Sequence, residues 1–177
     1  MSNKIHAIDF RFERPEEIPE EKLARIEAVI LDQGAVGHAF VKENLRNAFL
    51  IGYAMDEKQD VVATVVLKHQ KERYRRRIEA ATGLDLSGHL ERGYTSVRPE
   101  WRGLGIAGKL ISGLVERAQD QRIYVTIGLD NAAALKLTRN ADMVLAASFV
   151  NERTGRKIGV FVNRSPMQNK REMINDQ

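Results

Sequence analysis

The stretch Val97-Arg98-Pro99-Glu100-Trp101-Arg102-Gly103-Leu104-Gly105-Ile106-Ala107-Gly108-Lys109-Leu110-Ile111 constrains this chain more than any other. It begins as a strand, tightens into a turn with small residues at 103, 105, 107 and 108, and continues as a helix. Ile106, Leu110, Leu114 and Ala118 recur at i, i+4, i+8 and i+12, which makes the helix from about Gly105 to Ala118 amphipathic. The first N–H groups of a helix have no internal partners and carry the positive end of its dipole. Small residues let a phosphate approach those groups closely. Arg102 adds a fixed positive charge at the mouth of the turn. The chemistry implied is diphosphate binding, and the competing reading is a turn whose glycines only permit close helix–strand packing.

Two familiar phosphate motifs do not fit. No Gly-Lys-Ser/Thr closes the turn, so it is not a P-loop. Gly103, Gly105 and Gly108 reproduce the G-x-G-x-x-G spacing, but a dinucleotide site wants the first strand of a βαβ unit. Here the turn lies past the middle of the chain, after a hairpin.

The remaining elements follow from periodicity. His6 to Phe12 alternates as a strand, and Leu23, Ile26, Val29 and Ile30 give a helix from Glu20 to Asp32 that Gly34 stops. A second helix is expected from Gly37 to Ala48. Phe49 to Met55 and Val61 to Leu67 read as a hairpin across Asp56-Glu57-Lys58-Gln59. A helical excursion over residues 68–90 carries the basic run Lys68 to Arg77 and ends near Gly83. Glu91 to Arg98, Ile123 to Leu129, Met143 to Val150 and Lys157 to Asn163 complete the strands, with a helix from Asn131 to Asn140. The order βααββ(α)βαβαββ implies one α/β (α+β) domain over residues 1–163, with a mixed, mostly antiparallel sheet of about seven strands flanked by helices. Residues 164–177 form a polar tail.

Composition narrows the function classes. At 177 residues the chain suits one domain with a sizeable core. It has no cysteine, so disulfides, thiolate metal sites and cysteine nucleophiles are excluded. No apolar window is long enough to span a bilayer, and the N-terminal residues lack the apolar core of a signal peptide. The expectation is a cytoplasmic protein without a membrane partner. His6, His38, His69 and His89 have no metal-ligand spacing, so no metal is expected. Ser96 and Ser112 lack a nucleophile elbow.

The residues around the turn resemble the acetyl-coenzyme A signature of the GNAT N-acetyltransferase superfamily. Its Arg/Gln-x-x-Gly-x-Gly/Ala pattern is matched by Arg102, Gly105 and Ala107. The wider form V-x-P-x-x-R-G-x-G-I-G/A-x-x-L is matched by Val97, Pro99, Arg102, Gly103, Gly105, Ile106, Ala107 and Leu110. The element order follows the family's fold from about residue 5 to 163. The resemblance implies an acyl-coenzyme A-dependent N-acyltransferase using acetyl-coenzyme A as cosubstrate. The strand backbone of Ser96, Val97 and Arg98 would hold the pantetheine arm. The amides of Gly103, Leu104, Gly105, Ile106, Ala107, Gly108 and Lys109 would receive the diphosphate. Asn131 would stand near the pantetheine.

The reaction so implied is direct attack of a neutral amine on the thioester, with no covalent enzyme intermediate. An amine with pKa near 10 needs a base at neutral pH. Glu91, at the start of the strand leading to the turn, is the candidate, and a solvated strand-end charge is the competing reading. Many relatives carry N-x-x-A-x-x-L-Y-x-K-x-G-F in the helix after the fifth strand. Here Asn131, Ala134 and Leu137 match, but Thr138 replaces the tyrosine and Asp142-Met143 replaces Gly-Phe. Thr138, Tyr94 and Tyr124 are therefore weak candidates for protonating the leaving thiolate. Loss of that tyrosine also motivates an alternative, a GNAT-like sensor or scaffold that holds an acyl-coenzyme A and turns over poorly.

Partners are less defined. The acceptor is a small-molecule or protein amine, and acceptor recognition is expected in the excursion and the first two helices. The net charge of +4 and the basic run raise nucleic acid as a partner, but the run lacks interleaved aromatics. The final hairpin is placed to pair with another subunit in a homodimer.

Overall fold

The computed structural model describes residues 8–33, 40–118 and 120–164. Seven strands form one sheet: β1 (Asp9–Glu13), β2 (Ala48–Met55), β3 (Val61–His69), β4 (Leu90–Val97), β5 (Ile123–Gly128), β6 (Met143–Val150) and β7 (Lys157–Asn163). Their spatial order is β1-β2-β3-β4-β5-β7-β6, with β4 and β5 parallel and β1–β2, β2–β3, β5–β7 and β6–β7 antiparallel. Five helices accompany it: α1 (Glu20–Leu31), α2 (Val41–Arg46), α3 (Glu72–Thr82), α4 (Ile106–Arg117) and α5 (Ala132–Asn140). This is the expected mixed α/β architecture, in the expected order.

Several boundaries differ from the sequence reading, and at three of them strand pairing overrides local periodicity. Ala48 does not extend α2; it pairs with Lys68 across β2 and β3, and Asn47 ends the helix by donating to the Glu43 carbonyl. β3 correspondingly runs to His69, so Lys68 and His69 belong to a strand and the basic run is split. α3 therefore starts at Glu72, not Lys68. The expected strand start at His6, the Gly34 stop, the helix start at Gly37, His38 and the tail beyond Arg164 lie outside the described residues.

The chain forms two compact units, and the division falls inside β4, between Glu91 and Arg92. In the first unit, Met1–His69 with Arg92–Arg117, the stripe Leu23, Ile26, Val29 and Ile30 of α1 packs with Val41 and Leu45 of α2. Both rest on Ile51, Tyr53 and Val66 of the sheet. The opposite side of the sheet receives α4 through a notch. A Cβ on Gly113 would lie 2.3 Å from Phe12, and one on Gly52 would lie 3.1 Å from the same ring. In the second unit, Gln70–Glu91 with Ala118–Gln177, the core gathers Ile78, Leu86, Tyr124 and Val160, with Leu84, Phe149 and Val162 against it. Among the described residues no helix is long and apolar enough to cross a membrane, and no three His, Cys, Asp or Glu residues cluster as a metal site.

Candidate functional site

The turn between β4 and α4 is closed by local bonds. Pro99–Trp101 forms a single 3-10 turn, with Trp101 N–H on the Arg98 carbonyl at 2.9 Å. Gly103 and Gly105 then adopt φ of 75° and 76°, the left-handed region that disfavours any side chain. A Cβ at either would meet nothing within 4 Å, so backbone conformation demands these glycines and the space beside them is open. The first helical bond is Lys109 N–H to the Gly105 carbonyl at 3.1 Å. Among the described residues, none accepts a hydrogen bond from the backbone N–H groups of residues 103 to 108. A run of donors at the positive end of α4, beside open space, is what a diphosphate requires.

The expected roles here divide. The Lys109 amide is committed to the helix, and its ammonium lies 5.6 Å from the centre of the Phe10 ring. Arg98 fastens the end of β4: its N–H donates to the Val62 carbonyl and its Nε to the Val61 carbonyl, both at 2.9 Å. Its backbone N–H is thus already paired within the fold. Arg102 Nε donates to the Val97 carbonyl at 3.1 Å and its Nη2 to Gln33. Its guanidinium remains exposed at the turn.

β4 itself is irregular. Its register with β5 covers only Leu90 and Glu91, against Ile123 and Tyr124. Tyr94 takes φ of 50°, an outlier for a bulky residue that costs about 1–3 kcal/mol and persists only where its surroundings impose it. Here Asn44 Nδ2 of α2 donates to the Tyr94 hydroxyl at 2.6 Å, and Lys68 Nζ lies 4.4 Å from the ring centre. Gly93 makes room for that lysine, because a Cβ there would sit 2.9 Å from Lys68 Cε. The sequence gives neither Asn44 nor Lys68 a place beside Tyr94. The basic run hinted at Lys68 only as charge, and nothing local marks Asn44.

The second unit holds the other candidates. Glu91 is half-buried and stands opposite Tyr124 in the β4–β5 register. Tyr124 is fully buried, and its hydroxyl has no hydrogen-bond partner among the described residues. Burial, and then the charge of Glu91, hold its phenol well above the usual range. Tyr74 of α3 meets Thr126 at 3.0 Å between hydroxyl oxygens. Burial raises this phenol too, with Glu91 adding to the rise and the Thr126 bond opposing it. Both phenols therefore stay protonated at neutral pH. Next to Glu91 in the chain, Arg92 is buried, and burial pulls its guanidinium down to about 10, still charged at neutral pH. Asn131 caps α5, its Oδ1 accepting from Ala134 N–H at 3.1 Å. Thr138 is buried within α5 at 0% exposure.

The sequence matches the acetyltransferase (GNAT) family over residues 5–142. No match is found among curated proteins. Among solved structures, NAA60 of Arabidopsis thaliana in complex with acetyl-CoA is 16% identical, with a TM-score of 0.64 over 87% of this chain and 98% of that one. ElaA of Escherichia coli is 14% identical, with a TM-score of 0.65 over 89% and 99%. A variant of the spermidine N-acetyltransferase SpeG of Vibrio cholerae is 15% identical, with a TM-score of 0.59 over 89% and 93%. At such identities these likenesses establish the fold, and the family match extends over well more than half of the sequence. The chain belongs to the GNAT acetyltransferase family.

Proposed function

We propose that the protein transfers an acetyl group from acetyl-coenzyme A to a primary amine on a small molecule or a protein. The carrying observation is the run of open N–H groups from 103 to 108 around the left-handed Gly103 and Gly105. In this reading residues 1–163 act as one acyl-coenzyme A-binding domain. The diphosphate rests on that run with Arg102 beside it, and the pantetheine arm lies along Ser96 and Val97. The Asn131 side-chain amide offers a further donor. Glu91 accepts the proton that the attacking amine must lose. Solved neighbours in complex with acetyl-CoA support the choice of cosubstrate.

The basic run supports an acceptor-side role over nucleic-acid binding. Two of its six cations are paired within α3, Arg75 through Nη1 to both Glu79 oxygens at 2.9 Å and Arg76 to Glu72 at 2.6 Å. A second reading, a coenzyme-holding module with weak turnover, is favoured by one observation. Thr138 stands where relatives carry tyrosine, and it is fully buried.

The test is thermal unfolding with and without acetyl-coenzyme A, beside Gly105→Glu. At a hundred times its dissociation constant the ligand should add about 2.7 kcal/mol. For a chain of this length that is roughly 5–10 °C. Gly105→Glu, placing a carboxylate in the open space at the turn, should abolish the shift. A folded wild-type protein without any shift would end the acyltransferase reading. A normal shift without thiol release across an amine panel would favour the holding module.

A further inference from the structure

Resting on the acetyl-coenzyme A reading above, we infer that Tyr94 donates the proton to the leaving coenzyme thiolate, and that Asn44 aims it. With the diphosphate at the turn, the arm runs back along β4, so its sulfur end lies up-strand of Val97. Tyr94 is three residues up-strand, about 10 Å at the usual strand rise. It lies on the stretch of β4 that has no β5 partner in the register.

The hydrogen-bond directions matter more than the proximity. Asn44 Nδ2 donates and the Tyr94 oxygen accepts, at 2.6 Å. The phenol proton is therefore not consumed by Asn44 and is available to a ligand. The Lys68 ammonium, 4.4 Å from the ring centre, places positive charge where negative charge develops as the proton leaves. The left-handed φ at Tyr94 turns the strand locally, and the Asn44 and Lys68 contacts hold the side chain there.

The other hydroxyls fit less well. Thr138 is fully buried, and an alcohol is a much weaker acid than a phenol. Tyr124 is enclosed with Ile78, Leu86 and Val160 in the apolar core of the second unit.

The step balances without further reactants. The amine nitrogen bonds to the thioester carbon and passes its proton to Glu91. The carbon–sulfur bond breaks, and sulfur keeps the pair and takes the proton from Tyr94 Oη. Solvent then carries a proton from Glu91 back to the tyrosinate. Tyr94 is thus the catalytic donor and Asn44 a positioning residue.

A test independent of the acceptor reads the thiol pKa of bound coenzyme A from thiolate absorbance. A phenol donating to sulfur should lower that pKa in wild type by about one unit relative to free coenzyme A, a tenfold effect. Tyr94→Phe should still bind coenzyme A through the diphosphate turn, lose the tenfold preference for the thiolate form, and return the pKa to its free value. Asn44→Ala should restore part of the difference. Asn44→Asp, whose carboxylate would accept the phenol proton, should restore all of it. A bound thiol that titrates alike in wild type and Tyr94→Phe would overturn the assignment and leave coenzyme binding standing. Failure of coenzyme A to bind at all would remove the site and this inference together.

Discussion

The turn between β4 and α4 is closed mainly by near neighbours, with Arg102 also reaching Gln33, whereas the segment from Gln70 to Glu91 is tied to residues far along the chain. In the turn, Trp101 binds Arg98, Arg102 binds Pro99 and Val97, and Lys109 binds Gly105. Only Ile106 among residues 99–109 is buried. In the excursion, Ile78 is the single buried residue of α3 and enters a core with Tyr124 and Val160. Tyr74 reaches Thr126, and Arg122 donates to the Ser87 carbonyl at 3.0 Å. Inside the excursion, Glu79 holds Arg75 and also accepts from Leu86 N–H, while Gln70 donates to the Leu86 carbonyl. A turn can be defined largely by its own residues; an excursion between strands is placed by what it packs against.

This contrast can be broken most forcefully at Ile78. Ile78→Ala leaves a cavity in the second unit and should cost about 2–5 kcal/mol in denaturant unfolding. A loss well under 1 kcal/mol would show that α3 is not anchored by its core contact. A smaller effect, about 1 kcal/mol, is expected for Asn131→Ala through loss of the α5 cap. Titration calorimetry sharpens that result: weaker acetyl-coenzyme A binding in the same variant would show a ligand contact beyond the cap. Least of all should be felt at Arg73 and Arg77, exposed on α3 and outside its ion pairs with Glu72 and Glu79. Their replacement by alanine should change stability by less than about 0.5 kcal/mol. A larger loss would mean that the outer face of the helix carries structural charge.

How much was legible tracks the range of the forces. β6 and β7 fall on their expected residues, Met143–Val150 and Lys157–Asn163, because alternation and a polar turn suffice to define a hairpin. The expected stripe Ile106, Leu110, Leu114 and Ala118 is buried throughout, although α4 ends one residue before Ala118. Ala48 was misassigned because its helical period was good and its Lys68 partner lies 20 residues away. The role of Gly113 was likewise invisible, since the Phe12 ring it admits comes from the first strand.

The sequence by itself determined the family, the order of elements and the glycine turn between β4 and α4. Left-handed glycines, a proline and the open N–H groups of a helix end act over a few residues and leave a readable spacing. Only the tertiary structure decided which hydroxyl is presented beside the open part of β4. Asn44 and Tyr94 stand 50 residues apart and Tyr74 and Thr126 stand 52 apart. Such pairs meet because sheet order and helix packing bring distant backbone together, and that geometry leaves no period in the chain.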